Sequence, residues 1–133
     1  MKYFFRVDTH TSAGYGHFFR TIGLALFLKK KGFEIVFIVD SVFDLLTSIL
    51  SKDEYLLVHN EDEFLAVAHS NFVVVDYYNY GYYAKLHSNQ NRVIQIFDYE
   101  KPSEFANVLV NHLLESMITH IPLNNQTALY GPK

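Results

Sequence analysis

Apolar and polar residues alternate in blocks along the chain, and the blocks predict strands and helices in turn. Short apolar runs that are rich in aromatic and β-branched residues are typical of buried strands. Six such runs occur, at residues 3–7, 33–39, 55–58, 72–75, 92–97 and 108–110. Between them, apolar residues recur at helical spacing.

The best-marked helix follows the first strand. An apolar stripe that faces the core is predicted from residues at helical spacing, namely Phe18, Ile22, Ala25 and Leu26. Three lysines at 29–31 suit the negative end of the helix dipole, and Gly32 is a natural C-cap.

Three further helices are predicted. Asp40 or Ser41 can cap the second, which carries apolar residues at helical spacing up to residue 50. Asn60 with Glu63 resembles a capping box for a third helix that reaches about residue 69. A weaker pattern predicts the fourth over 80–88.

This alternation predicts a fold of the α/β class: a Rossmann-like, three-layer α/β/α domain with a mostly parallel sheet, over residues 1–120. The polar stretch 121–133, which contains proline, asparagine and glutamine, is predicted to be a surface tail or a linker.

Composition narrows the function. The chain has 133 residues, half of them hydrophobic, which suits one compact domain. No cysteine is present, so disulfides and thiolate metal sites are excluded. A net charge of −3 with scattered basic residues argues against nucleic-acid binding. No apolar run approaches the roughly 18 residues of a membrane span. We expect a cytoplasmic protein that uses no metal or cofactor.

Polar clusters follow the first, second, fourth and fifth predicted strands, at 8–17, 40–41, 76–78 and 98–99. In an open parallel sheet the carboxyl ends of the strands share one edge, and ligands bind there. The sequence therefore predicts a binding site along this edge.

The first of these clusters contains Gly14, Tyr15, Gly16 and His17. Glycines allow a close backbone approach, and a helix N-terminus attracts anions such as phosphate. A dinucleotide fingerprint would need glycine at position 19, where Phe19 stands. The alternative left open is that the glycines only shape a tight turn.

His17 is a candidate general base, because the positive end of the helix dipole favours the neutral imidazole. Asp8 can orient His17 or cap the helix, and Arg20 can pair with a phosphate or a carboxylate. The alternatives are a packing or capping histidine and a salt bridge between Arg20 and Asp8. Asp76 and Tyr78 open a tyrosine-rich segment that suits a sugar ring or simply covers the surface.

These clusters together resemble one family. The run 6–8 followed by 14–20 resembles the RxD…GxGHxxR signature of the UDP-sugar hydrolases of pseudaminic acid synthesis, which are related to spore-coat polysaccharide proteins and B-type glycosyltransferases. Residues 74–78 resemble the VDxY motif of that family. Weaker similarities follow in order at 96–98, 108–111 and 130–133.

The resemblance implies one half of a B-type glycosyltransferase fold, with a UDP-sugar as substrate and no metal. By that resemblance His17 activates water, and Asp8 and Arg20 support it. Substrate-binding residues are implied at Gly14, Tyr15, Gly16, Arg20, Asp76 and Tyr78. Asn79 stands where the family usually has glycine, which puts the choice of sugar in doubt.

Family members continue into a second, nucleotide-binding domain, so the resemblance implies that this half alone turns over little substrate and self-associates through an exposed half-cleft. Two other functions stay open. The chain could be the acceptor-binding half of a glycosyltransferase, or a stand-alone relative without catalysis.

Overall fold

The computed structural model describes residues 2–9, 16–77, 80–97, 101–111 and 126–130. Within these ranges it contains the strands β1 (Lys2–Val7), β2 (Glu34–Val39), β3 (Tyr55–Leu57), β4 (Phe72–Asp76), β5 (Arg92–Ile96), β6 (Val108–Asn111) and β7 (Thr127–Tyr130). The helices are α1 (Gly16–Lys30), α2 (Asp44–Ile49), α3 (Glu61–Val67) and α4 (Tyr83–Ser88), with a 3₁₀ turn at Lys52–Glu54.

The strands form one sheet in the order β3-β2-β1-β4-β5-β6-β7, and all neighbouring pairs are parallel. This confirms the predicted Rossmann-like α/β fold. The chain leaves β1 in one direction and returns to its other side at β4, so the strand order reverses between these two strands. Such a reversal opens a crevice at the carboxyl ends, where α/β proteins bind ligands.

Apolar side chains cover both faces of the sheet. Phe5 packs on Phe37 with ring centroids 4.8 Å apart, and Phe18 of α1 joins them on one face. Phe4 and Phe64 of α3 belong to the core on the other face. Burial of each such side chain contributes roughly 1.5–3 kcal/mol. Residues alternate between the two cores along β1, which produces the three layers.

A seventh strand lies where the sequence predicts a tail. Within that segment, Thr127–Tyr130 pairs in parallel with β6. Gln126 precedes it and donates from Nε2 to the carbonyls of Ser103 and Ala106, each at 2.9 Å. The strand has only four residues, and Leu129 is 54% exposed. Such a short, half-exposed edge strand has too little hydrophobic pattern to be recognised.

α1 ends as predicted. Gly32 has φ of 96°, in the left-handed region, and its N–H donates to the Lys29 carbonyl while Phe33 N–H donates to that of Leu28. This pair of bonds is a Schellman motif. The predicted stripe is confirmed for Phe18 and Ala25, but Leu26 is exposed. Its neighbour Ala25 takes the core-facing position, one helical step of about 100° away.

The predicted start of α2 was wrong. Its N-cap is Phe43, without a side-chain hydrogen bond, whereas Asp40 and Ser41 bind elsewhere. Ser41 Oγ donates to the Thr9 carbonyl at 2.9 Å and joins the loops after β1 and β2. The N-cap of α3 is confirmed, since Asn60 accepts from the Glu63 N–H at 3.1 Å.

Replacement of Gly32 by alanine tests the capping motif. We expect Gly32→Ala to lower the free energy of unfolding by about 1 kcal/mol, because a β-carbon strains the positive φ. Gly23→Ala is the matched control. Gly23 lies within α1, where an added β-carbon would meet nothing within 4 Å apart from its chain neighbours and the helix's own backbone, so alanine there should raise stability by up to about 1 kcal/mol. Urea unfolding measures both, and equal effects of the two changes would contradict the capping role.

Candidate functional site

Three of the predicted site residues meet at the crevice between β1 and β4. Asp76 ends β4, and His17 and Arg20 lie in the first turns of α1. The side chain of Asp76 lies on the face of the sheet that α1 covers. Helical spacing brings residues 17 and 20 to one side of α1, since i and i+3 are neighbours on a helix surface.

The carboxylate of Asp76 holds this cluster together. It is fully buried, and its Oδ1 lies 2.5 Å from His17 Nδ1. Arg20 donates two hydrogen bonds to the same carboxylate, from Nε to Oδ2 and from Nη2 to Oδ1, each at 2.5 Å. Such a bidentate, charge-assisted pair fixes the carboxylate in orientation as well as position.

This geometry favours one tautomer of the neutral His17 ring. An ionised carboxylate can only accept, so the contact with Asp76 requires the proton of the ring to be on Nδ1. In the neutral ring, Nε2 then carries the lone pair. Within this group of three side chains, the charge of Arg20 balances that of Asp76. An imidazole held in this way can take a proton at Nε2.

The remaining predicted residues are distributed around this cluster. The backbone N–H of Asp8 donates to the Asp76 carbonyl at 3.3 Å, so Asp8 adjoins the site at the end of β1. Gly16 is the first residue of α1. Gly14, Tyr15 and Tyr78 lie outside the described residues, as does the predicted cluster at 98–99. Arg20 pairs with Asp76, and its predicted salt bridge with Asp8 stays a prediction.

A second polar network lies at the same edge on the opposite face of the sheet, and the sequence does not predict it. Arg6 of β1 is 2% exposed and donates to two carboxylates. Its Nη2 lies 2.8 Å from Asp40 Oδ1, and its Nε lies 2.8 Å from Glu61 Oε1, which Nη2 also contacts. Its Nη1 donates to the carbonyls of Val7 and Ile38 at 3.3 and 3.2 Å.

These contacts use all five N–H donors of the Arg6 guanidinium. Burial alone would lower the pKa of Arg6, but the hydrogen bonds and charges of Glu61 and Asp40 outweigh it and raise the pKa above its usual value. The guanidinium is therefore a fixed cation within the sheet. Lysine could not replace it, because one ammonium cannot meet acceptors in so many directions.

Two tyrosines complete this network, which we call the Arg6 network (Arg6, Asp40, Glu61, Tyr77 and Tyr80). The ring of Tyr77 lies over the guanidinium at 4.6 Å, and its hydroxyl donates to Asp40 Oδ2 at 3.3 Å. Burial raises the pKa of Tyr77, and the charge of Asp40 raises it further. Burial and the nearby charge of Glu61 likewise raise the pKa of Tyr80.

In the sequence, Arg6 stands out only as the first residue of the RxD pattern at 6–8. No sequence pattern distinguishes Glu61 from other acidic residues. Glu61 lies next to the capping residue of α3, where an acidic side chain is ordinarily explained by the helix dipole. Its pairing with a strand residue 55 positions away depends on how α3 crosses the sheet. A local pattern does not contain that information.

Across the described part of the chain, no group of three or more histidine, aspartate or glutamate side chains is arranged to hold a metal ion. No helix among the described elements is long and apolar enough to cross a membrane.

Comparison with models of known families, with curated proteins and with solved structures gives no match.

Removal of the Asp76 carboxylate should lower the stability of the fold. Asp76→Asn removes the charge that pairs with Arg20 in this cluster and gives His17 an amide in place of a carboxylate, so we expect a loss of about 3 kcal/mol in the free energy of unfolding. Asp62→Asn is the control, because Asp62 is exposed in the first turn of α3. It should change stability by less than about 0.5 kcal/mol. Similar values for the two variants in urea unfolding would show that Asp76 does not hold the cluster.

Proposed function

We propose that this domain carries the sugar-binding, general-base half of a UDP-sugar hydrolase that acts in the synthesis of bacterial surface glycans. The observation that supports it best is the contact of His17 Nδ1 with the buried Asp76 carboxylate at the switch point of the sheet. This contact leaves Nε2 as the basic atom at the edge where α/β domains bind ligands.

In the proposed reaction His17 Nε2 takes a proton from water. The water oxygen attacks the anomeric carbon, the bond between that carbon and the β-phosphate oxygen breaks, and UDP leaves with the bonding electrons. General-base assistance of this kind contributes typically 10²–10⁴-fold to a rate. Asp76 stabilises the imidazolium that forms.

The start of α1 supports an anionic substrate. α1 has 15 residues, and it has no acidic residue in its first turn to compete with a ligand. The first N–H groups of a helix lack partners inside it and attract phosphate. Arg20 adds a cation that is partly exposed beside them. We assign Gly14, Tyr15 and Gly16 to the approach of the diphosphate, and Asp8 and Tyr78 to support of the base and the sugar.

The alternative from the transferase class uses the same geometry. There His17 deprotonates a hydroxyl of an acceptor sugar instead of water, and the sugar is transferred to it. A domain that keeps the fold and has lost the chemistry is the third possibility, and it predicts no effect of His17 on any reaction. Substrates of this kind are made in the cytoplasm, which is where we place the protein.

Binding is the first test of the proposal. Saturation-transfer NMR of the 133-residue chain with millimolar UDP-N-acetylglucosamine should show contact with the sugar protons, and UMP should not reproduce that contact. Arg20→Gln should weaken the signal because it removes the cation near the diphosphate. Arg92→Gln is the control, since Arg92 is exposed at the opposite, amino-terminal end of β5. Absence of any sugar contact would contradict the proposal.

Turnover by a protein that joins this domain to a nucleotide-binding half separates the reaction classes, because this half alone is expected to turn over little substrate. With UDP-sugars in ¹⁸O-labelled water, hydrolysis places the label on the anomeric carbon of the free sugar, whereas a transferase shows no release until an acceptor is added. We expect His17→Gln to lower the rate by about 100-fold or more. His59→Gln, at an exposed histidine, should not change it. An unchanged rate in the His17 variant would exclude His17 as the base.

Self-association through the half-cleft stays a prediction of the same proposal. Light scattering should detect a species above the monomer mass of 15.5 kDa, and a monomer at all concentrations would reject it.

A further inference from the structure

The two polar networks lie on opposite faces of the sheet, and one pair of consecutive residues joins them. Asp76 points towards α1 and holds His17 and Arg20, whereas Tyr77 packs against the core on the other face and contacts Arg6. Successive side chains of an extended chain point to opposite sides. The rotation of the backbone at these two residues therefore sets both networks at once.

Tyr77 is held at three places. Its ring stacks over Arg6, its hydroxyl donates to Asp40, and its edge meets the ring of Tyr80 with centroids 6.2 Å apart. A cation–π contact is stronger with a desolvated arginine than at an exposed site. The side chain is therefore restrained in both position and rotation.

Arg6 itself cannot shift to follow Tyr77. All its donors are used, two of them by backbone carbonyls of β1 and β2. It is also next to Val75 in the register of β1 with β4, one residue before Asp76. The guanidinium is thus a fixed reference point in the sheet against which Tyr77 is placed.

A contribution to stability alone does not account for this arrangement well. A buried ion pair often adds little net stability over an apolar replacement, because both charges must be desolvated. The geometry supports a second role for the Arg6 network, which is to place the neighbouring Asp76. The last bond of the β1–β4 pairing, from Asp8 N–H to the Asp76 carbonyl, is 3.3 Å long and is a weak restraint on residue 76.

We infer that Tyr77 is a positioning residue: clamped on Arg6, it fixes the end of β4 so that Asp76 presents its carboxylate to His17. The catalytic meaning of this clamp rests on the proposed function, but the clamp itself does not. The ring, not the hydroxyl, supplies most of the restraint.

Amide hydrogen exchange of Asp8 measures the clamp without any substrate. Tyr77→Leu removes the ring, and we expect the Asp8 amide to exchange about tenfold or more faster, while core amides such as those of Phe5 and Val74 keep their protection. A local opening has this selective signature, whereas lower global stability accelerates the core amides together. Tyr77→Met carries the same prediction should the leucine variant not fold.

Two matched variants make the assignment specific. Tyr77→Phe keeps the ring over Arg6 and loses only the bond to Asp40, so Asp8 protection should stay within about threefold of that of the original chain. Tyr82→Leu removes an exposed tyrosine that contacts Tyr80, and it should leave Asp8 unchanged. The ¹⁵N resonances of the His17 ring should change in the leucine variant and stay constant in both controls.

Unchanged Asp8 exchange in Tyr77→Leu, or an equal acceleration of all core amides, would overturn the inference. So would an unchanged His17 ring spectrum in a variant that has lost Asp8 protection, since the end of β4 would then not control the imidazole. A confirmed clamp in a chain that does not bind UDP-sugar would leave the inference standing and remove the proposed substrate.

Discussion

The site depends on one buried carboxylate. Asp76 has no exposed surface, and a bare carboxylate in such a place would cost several kcal/mol. The contacts of Arg20 and His17 with the carboxylate offset that cost. Displacement of either side chain would therefore leave the buried carboxylate of Asp76 short of partners and lower the stability of the fold. The same requirement fixes the tautomer of the imidazole. The chemistry that we propose for His17 therefore follows from a constraint on stability.

The sheet makes this arrangement possible. Parallel β1 and β4 end side by side, and the strand order reverses between them, so α1 starts at the crevice rather than over the middle of the sheet. One face then receives the Asp76 cluster and the other the Arg6 network. Each network is formed by groups from separate segments, and together they join the ends of β1, β2 and β4 with the starts of α1 and α3.

The sequence predicts the layers of this fold well and its polar contacts poorly. Apolar runs such as that of β4 have a period and a length, so their structure can be inferred locally. The proximity of residues 8–9, 40–41 and 76–77 also follows from strand order alone. The contact of His17 with Asp76 does not follow from strand order, because it depends on the register that places the Asp76 side chain on the face that α1 covers. The strand at 127–130 is not predicted because its apolar pattern is too short to be recognised. The Glu61–Arg6 pair is not predicted because the two residues lie far apart in the chain.

The proposed relation to UDP-sugar hydrolases and the geometry at His17 both rest on the same residue. The first depends on a motif, and the second on a contact between an imidazole nitrogen and a carboxylate. Long-range ¹H–¹⁵N NMR of the His17 ring, at a pH where it is neutral, tests their common requirement directly. The account predicts the proton on Nδ1 and an unprotonated Nε2. A proton on Nε2 of the neutral ring in the folded chain would contradict it, because His17 could not then accept a proton from water at that atom.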